Sequence, residues 1–168
     1  DLPLVPQVHG ALERGDVILG DRGLCSYVHL AQLWRAGLHG VFRIHQKMIV
    51  DFRIGRLHRP PRTKANFFKR AKGLPRSRWV KWQGHWDQVV EYFKPSSRPK
   101  WMTADEFAAL PSSLLVRELK YVITQPGFRT HLVHLVTTLL DPAAYPAEEL
   151  AQLYFDRWNV ETNLRHLK

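Results

Sequence analysis

With 168 residues, 45% of them hydrophobic, the chain can bury one ordinary core or two small ones. A single cysteine, Cys25, excludes an internal disulfide framework and a thiolate-only metal centre, and no stretch reaches the roughly eighteen consecutive apolar residues of a membrane span. The net charge of +10 points to a polyanionic partner, most simply nucleic acid, and the opening DLPLVPQVHG has no basic-then-apolar leader, so a cytoplasmic protein is expected.

The basicity is regional. From Arg43 to Lys100 there are sixteen Lys or Arg against three acids, a surplus of +13, whereas the remainder of the chain sums to −3. The middle of the chain is therefore expected to face the polyanion, with the flanks as scaffold.

Val17-Ile18-Leu19-Gly20 is short, apolar and bounded by Gly15-Asp16 and Asp21-Arg22-Gly23, which predicts a buried strand with Asp21 at its C-terminal end. Tyr27, Leu30, Leu33, Trp34 and Leu38 then recur at helical spacing, with Ser26 as N-cap and Gly37 near the stop. Gly40 to His45 resumes a strand, making a β-α-β unit of the kind that builds parallel sheets.

Beyond residue 46 the texture changes. Arg59-Pro60-Pro61-Arg62, Gly73-Leu74-Pro75 and Pro95-Ser96-Ser97-Arg98-Pro99 punctuate the chain and leave no room for long helices. Trp79 to Trp82 and Gln88 to Phe93 read as strands, and Thr103 opens a short capped helix. Leu114 to Thr124 and Thr130 to Leu140 are β-rich runs flanking Gln125-Pro126-Gly127-Phe128, as in a hairpin. Residues 47–143 thus read as a mainly antiparallel β insertion between 1–46 and 144–168.

The chain closes on PAEELAQLYFDRWNVETNLRHLK, where Pro146, Glu148 and Glu149 suit a helix start and no later Gly or Pro intervenes. On this helix Tyr154, Arg157, Glu161 and Lys168 project within roughly 60° of one another. A phenol, a guanidinium, a carboxylate and an ammonium on one face suit a phosphodiester site, with the carboxylate on a divalent cation and the donors on phosphate oxygens. The alternative is a solvated face with an ordinary Arg157–Glu161 ion pair.

The pattern Y-x2-R-x3-E-x6-K is complete in YFDRWNVETNLRHLK, and it resembles the Tyr-Arg-Glu-Lys signature of family four of the DDE-type insertion-sequence transposases. GDVILGDRGLCSY likewise resembles that family's strand ending in its second catalytic aspartate. The resemblance spans residues 16–168 and implies an α/β fold: a partial ribonuclease H-like catalytic core, 1–46 with 144–168, interrupted by the β insertion.

It further implies a transposase that cleaves and transfers strands at transposon ends by two-metal chemistry with Mg²⁺, Mn²⁺ being able to substitute. Asp21 and Glu161 would be catalytic metal ligands, and Tyr154, Arg157 and Lys168 would contact DNA phosphates. The partners implied are double-stranded DNA, as transposon ends and target, and a second subunit in the full-length protein. The setting implied is bacterial and nucleoid-associated, with no membrane.

In the family the first carboxylate lies on an upstream strand. Asp16 is a poor substitute, because it stands at the far end of the predicted strand, five residues or about 17 Å from Asp21, whereas paired metals lie about 4 Å apart. A catalytic-domain fragment lacking the first aspartate is therefore expected. A metal-dependent nuclease of the same fold and a non-catalytic DNA-binding remnant stay open as alternatives.

Trp79, Trp82, Trp86 and Trp101 lie in the basic region, suited either to stacking on unpaired bases or to forming a small core of their own. His131 and His134, three apart on a predicted strand, would face opposite ways and could not share a metal.

Overall fold

The computed structural model describes residues 9–59, 72–123 and 131–165. In chain order the elements are strand β1 (Val17–Gly20), helix α1 (Tyr27–Ala36), strands β2 (His39–Arg43), β3 (Arg78–Gly84) and β4 (Asp87–Phe93), helix α2 (Ala104–Ala108), strands β5 (Ser113–Ile123) and β6 (His131–Thr137), and helix α3 (Ala147–Arg165). All six strands join one sheet in the order β1-β2-β6-β5-β4-β3. β1 and β2 are parallel, and every other neighbouring pair is antiparallel. The fold is thus mixed α/β on a mostly antiparallel sheet.

Local chemistry accounts for the helix ends. Ser26 Oγ accepts from the His29 N–H at 3.1 Å and starts α1. Gly37 ends it at φ 72°, a conformation without strain only for glycine. Thr103 and Glu106 form a reciprocal capping box at α2. The turn predicted at Gln125 to Phe128 lies outside the described residues; the strands on either side of it pair antiparallel, Ile123 with His131.

The sheet is covered on both faces. Against one face, Leu30, Leu33 and Leu38 of the α1 region meet Phe42, Val136, Val116, Val90 and Tyr92. Across the other, Leu150 and Tyr154 of α3 meet Val41, Leu119, Val133 and Leu135. A further cluster of Val28, Ala31, Met102 and Leu110 packs the α2 segment against α1. Because α1 is covered on two sides, its buried arc is wider than one stripe and takes in Val28 and Ala31 as well as Leu30 and Leu33. His29 is fully buried against Phe42, and Trp34, expected in the core, is 55% exposed.

Successive residues of β5 serve opposite faces. Arg117 binds Asp87 bidentately, Nε to Oδ1 at 2.8 Å and Nη2 to Oδ2 at 2.5 Å, and donates to the Tyr145 carbonyl at 2.6 Å, fixing the lead-in to α3. Glu118 accepts from Tyr92 at 2.9 Å and Gln88 at 2.8 Å, 4.0 Å from the Arg56 guanidinium. Arg56 holds Asp51 and Ser77 through their carbonyls, at 2.6 Å each, so this buried network ties residues 51–56 to the sheet.

Candidate active site

Strand directions bring four ends together. β1 and β2 run parallel, so their C-terminal ends coincide, and the antiparallel pairings bring the start of β6 and the end of β5 to the same edge. Asp21 follows β1 directly, and continuing the register beyond Gly20 and Phe42 sets it beside Arg43. Asp21 Oδ1 accepts from the Gly23 N–H at 2.8 Å and its carbonyl accepts from Leu24 N at 3.2 Å, so a tight turn holds the carboxylate in an exposed position.

Tyr154 is 6% exposed and belongs to the core beneath α3, so at this position the helix stripe is not a solvated face. Arg157 lies one turn on, its guanidinium carbon 5.0 Å from the Tyr154 ring centroid and its Nη2 3.4 Å from the phenol oxygen. Burial pushes the Tyr154 phenol above its usual range. Arg157 and Arg43 oppose that shift, and the Asp21 charge adds to it. The structure thus brings Asp21, Tyr154 and Arg157 to one end of one sheet face. Glu161 is carried on the α3 backbone, but its side chain lies outside the described ones, and Lys168 lies outside the described residues.

Two residues of this face were not singled out in the sequence. Arg43 ends β2, and Tyr121 lies on β5, pushed up by burial and by Tyr154, with Arg43 and Arg157 opposing. The parallel β-α-β spacing was the one available signal, since it sets the ends of β1 and β2 side by side. Asp16, by contrast, caps a turn at the far end of β1, its Oδ2 accepting from Glu13 N at 2.9 Å.

The tryptophans divide. Trp101 packs against the cluster of Met102 and Leu110. Trp82, 52% exposed, and Trp86 line an open groove of ≈ 590 Å³ with Phe52, His85, Lys120 and His134. Trp86 sits in the β3–β4 turn at φ 58°, uncommon for a bulky residue, with the Lys120 ammonium 4.1 Å from its ring centroid. The side chain of His131 is outside the described ones. Among the described residues no three His, Cys, Asp or Glu converge as a metal cluster, and no helix is long and apolar enough to cross a membrane.

An exposed carboxylate at the end of a sheet face that also carries Arg43, Arg157 and two tyrosines, in a strongly basic chain, suits a domain that handles phosphodiesters. The family model for the transposase DDE domain matches residues 1–168, and the chain belongs to that family. Neither the curated proteins nor the solved structures gave a match. DDE transposases act on DNA, cleaving and transferring strands in transposition, and in general depend on divalent metal ions.

Proposed function

We propose that this chain is the catalytic domain of a DDE transposase of the Tyr-Arg-Glu-Lys branch, on a ribonuclease H-like core. Asp21 and Glu161 would hold divalent metal, Mg²⁺ or Mn²⁺, and Tyr154, Arg157 and Lys168 would contact backbone phosphates at transposon ends. The observation that carries it is the convergence of Asp21, Tyr154 and Arg157, distant in sequence, at one end of one sheet face. Exposed carboxylate oxygens are the hard donors such ions take. Bound there, the metal would activate a water or a 3′-hydroxyl and stabilise the departing oxygen.

The protein's own groups would position the strand. Arg157, resting on the Tyr154 ring, offers a planar fork for phosphate oxygens, and the buried phenol fixes the height of that fork above the sheet. β1 is an edge strand among the described residues, leaving a place beside Asp21 where a strand bearing the first carboxylate would pair. Synapsis of two ends would call for a homodimer, with the bacterial nucleoid as its setting.

The test is Mn²⁺ binding to the chain with a short DNA duplex, followed by electron paramagnetic resonance. Asp21→Asn and Glu161→Gln are each expected to weaken Mn²⁺ binding at least about tenfold while leaving most DNA binding intact. Mn²⁺ binding unchanged in both variants would overturn the assignment. In a strand-transfer assay with the element's own ends, a joined product distinguishes transposition from simple nuclease action.

A further inference from the structure

Behind the turn that presents Asp21 stands a chain of hydrogen bonds ending on two imidazoles. The Asp21 carbonyl accepts from the Leu24 N–H at 3.2 Å. The Leu24 carbonyl accepts in turn from the Ser26 N–H at 3.0 Å and from His29 Nδ1 at 3.0 Å. His29 is fully buried on α1, its ring 5.0 Å from that of Phe42 and its backbone N–H donated to Ser26 Oγ. Its Nε2 lies 3.2 Å from His9 Nε2, the two rings within 4° of parallel.

These partners admit one protonation pattern. A carbonyl can only accept, so His29 Nδ1 carries the proton and its bare Nε2 accepts from His9 Nε2–H. Burial holds both imidazoles below their usual range, which keeps His29 neutral near neutrality, as the pattern requires. An apolar side chain would fill this core position at a lower desolvation cost, so what the histidine adds is the directed N–H to Leu24. Leu24 links that core to the site. Its Cδ1 lies 2.9 Å from where a Cβ on Gly20 would stand, and its N–H ends on Asp21.

We propose that His29 is a positioning residue for Asp21, holding through Leu24 the turn that presents the carboxylate, with His9 as the donor that leaves His29 protonated on Nδ1. The assignment rests on the divalent-metal role proposed for Asp21 and adds the groups behind it. His29 touches neither metal nor DNA; it acts by fixing where the Asp21 turn can lie.

Two measurements on the full chain test it. Long-range proton–nitrogen NMR near neutrality should show His29 protonated on Nδ1 with Nε2 bare, and a ring protonated on Nε2 overturns the proposal whatever the metal does. Mn²⁺ binding in the presence of a short DNA duplex, read by electron paramagnetic resonance, gives the second. His29→Leu keeps apolar bulk without the donor and is expected to weaken Mn²⁺ binding about three- to tenfold, at or below the cost of losing a ligand's own hydrogen-bond partner. His29→Gln, whose amide stands in the place of Nε2, should behave likewise and serves if the leucine variant does not fold. His29→Asn places its amide where Nδ1 stood, within reach of Leu24, and should restore most of the affinity. Met102→Ala, cut from the cluster on the other side of α1, should lower the melting temperature and leave Mn²⁺ affinity unchanged. If the donor-less variants bind Mn²⁺ as the unsubstituted chain does, or no worse than Met102→Ala, the positioning role falls and the Asp21 reading stands. Mn²⁺ binding that survives Asp21→Asn unchanged removes the metal role, and the positioning role with it.

Discussion

Asp21 owes its position to a residue that does no chemistry. A Cβ on Gly20 would lie 2.7 Å from Phe42 Cδ1 and 2.9 Å from Leu24 Cδ1, and one on Gly40 would lie 2.5 Å from Phe42 Cε2. The Phe42 ring thus lies over both glycines, closing the core directly beneath the strand end that presents the carboxylate. Gly20→Ala is expected to destabilise the fold by about 1–3 kcal/mol through overpacking, and to weaken Mn²⁺ binding by displacing Asp21. Urea unfolding with a parallel Mn²⁺ titration checks both, and wild-type values in the two would show that the ring yields freely. A conservative change at the neighbouring cation has a different signature. Arg157→Lys keeps the charge but loses the planar fork over Tyr154, so DNA affinity should fall at an unchanged salt slope.

At the scale of elements, two buried ion pairs hold the working pieces in place. Arg117 and Asp87 pin the approach to α3, and removing one partner leaves the other charge buried alone. Asp87→Ala is expected to cost about 3–5 kcal/mol, whereas a paired replacement of both residues by apolar ones should cost far less. Chemical denaturation of the single and double variants decides it, with equal losses in both excluding the pairing account. How far these elements were legible follows from where their causes lie. The Ser26 cap, the Gly37 stop, the Thr103–Glu106 box and the strand from Val17 to Gly20 rest on neighbours in sequence, and each formed, although the strand expected to be buried lies at the sheet edge with Val17 exposed. The pairing of β2 with β6, which joins the basic stretch to residues 17–43 in one sheet, depends on contacts about a hundred residues apart and leaves no local mark. The burial of Val28 and Ala31 has the same origin, since the α2 segment that covers them comes much later in the chain. In the candidate site the carboxylate and the helix stripe were legible as motifs. Arg43 and Tyr121 were not, because only the assembled register sets them on the face of Asp21.

Across the whole molecule, histidines set the response to acid. Burial holds His29, His9, His58 and His134 below the usual imidazole range. His29 shows why: it is fully buried, its Nδ1 lies 3.0 Å from the Leu24 carbonyl, and its Nε2 lies 3.2 Å from His9 Nε2, an arrangement that needs one ring to accept. A histidine whose folded pKa is depressed contributes stability that is present above its unfolded pKa, about 6.5, and is lost as pH falls through the folded value. Glu118 works in the opposite sense. Burial raises its carboxyl, so the cost of ionising it in place appears as pH rises through and beyond the ordinary carboxylate range. Asp51, Glu91 and Glu106 are held below their usual values, and their contribution is lost only in stronger acid. Between about pH 6.5 and 5 four histidines therefore act against one carboxyl, and the melting temperature is expected to fall across that window. His29→Asn should lower stability near neutrality yet flatten the fall, because it removes the most deeply buried imidazole, while Glu118→Gln should steepen it by removing the opposing group. Circular dichroism melts across the window settle the matter: a melting temperature that rises on acidification, or a slope untouched by His29→Asn, would show that the imidazoles do not govern it.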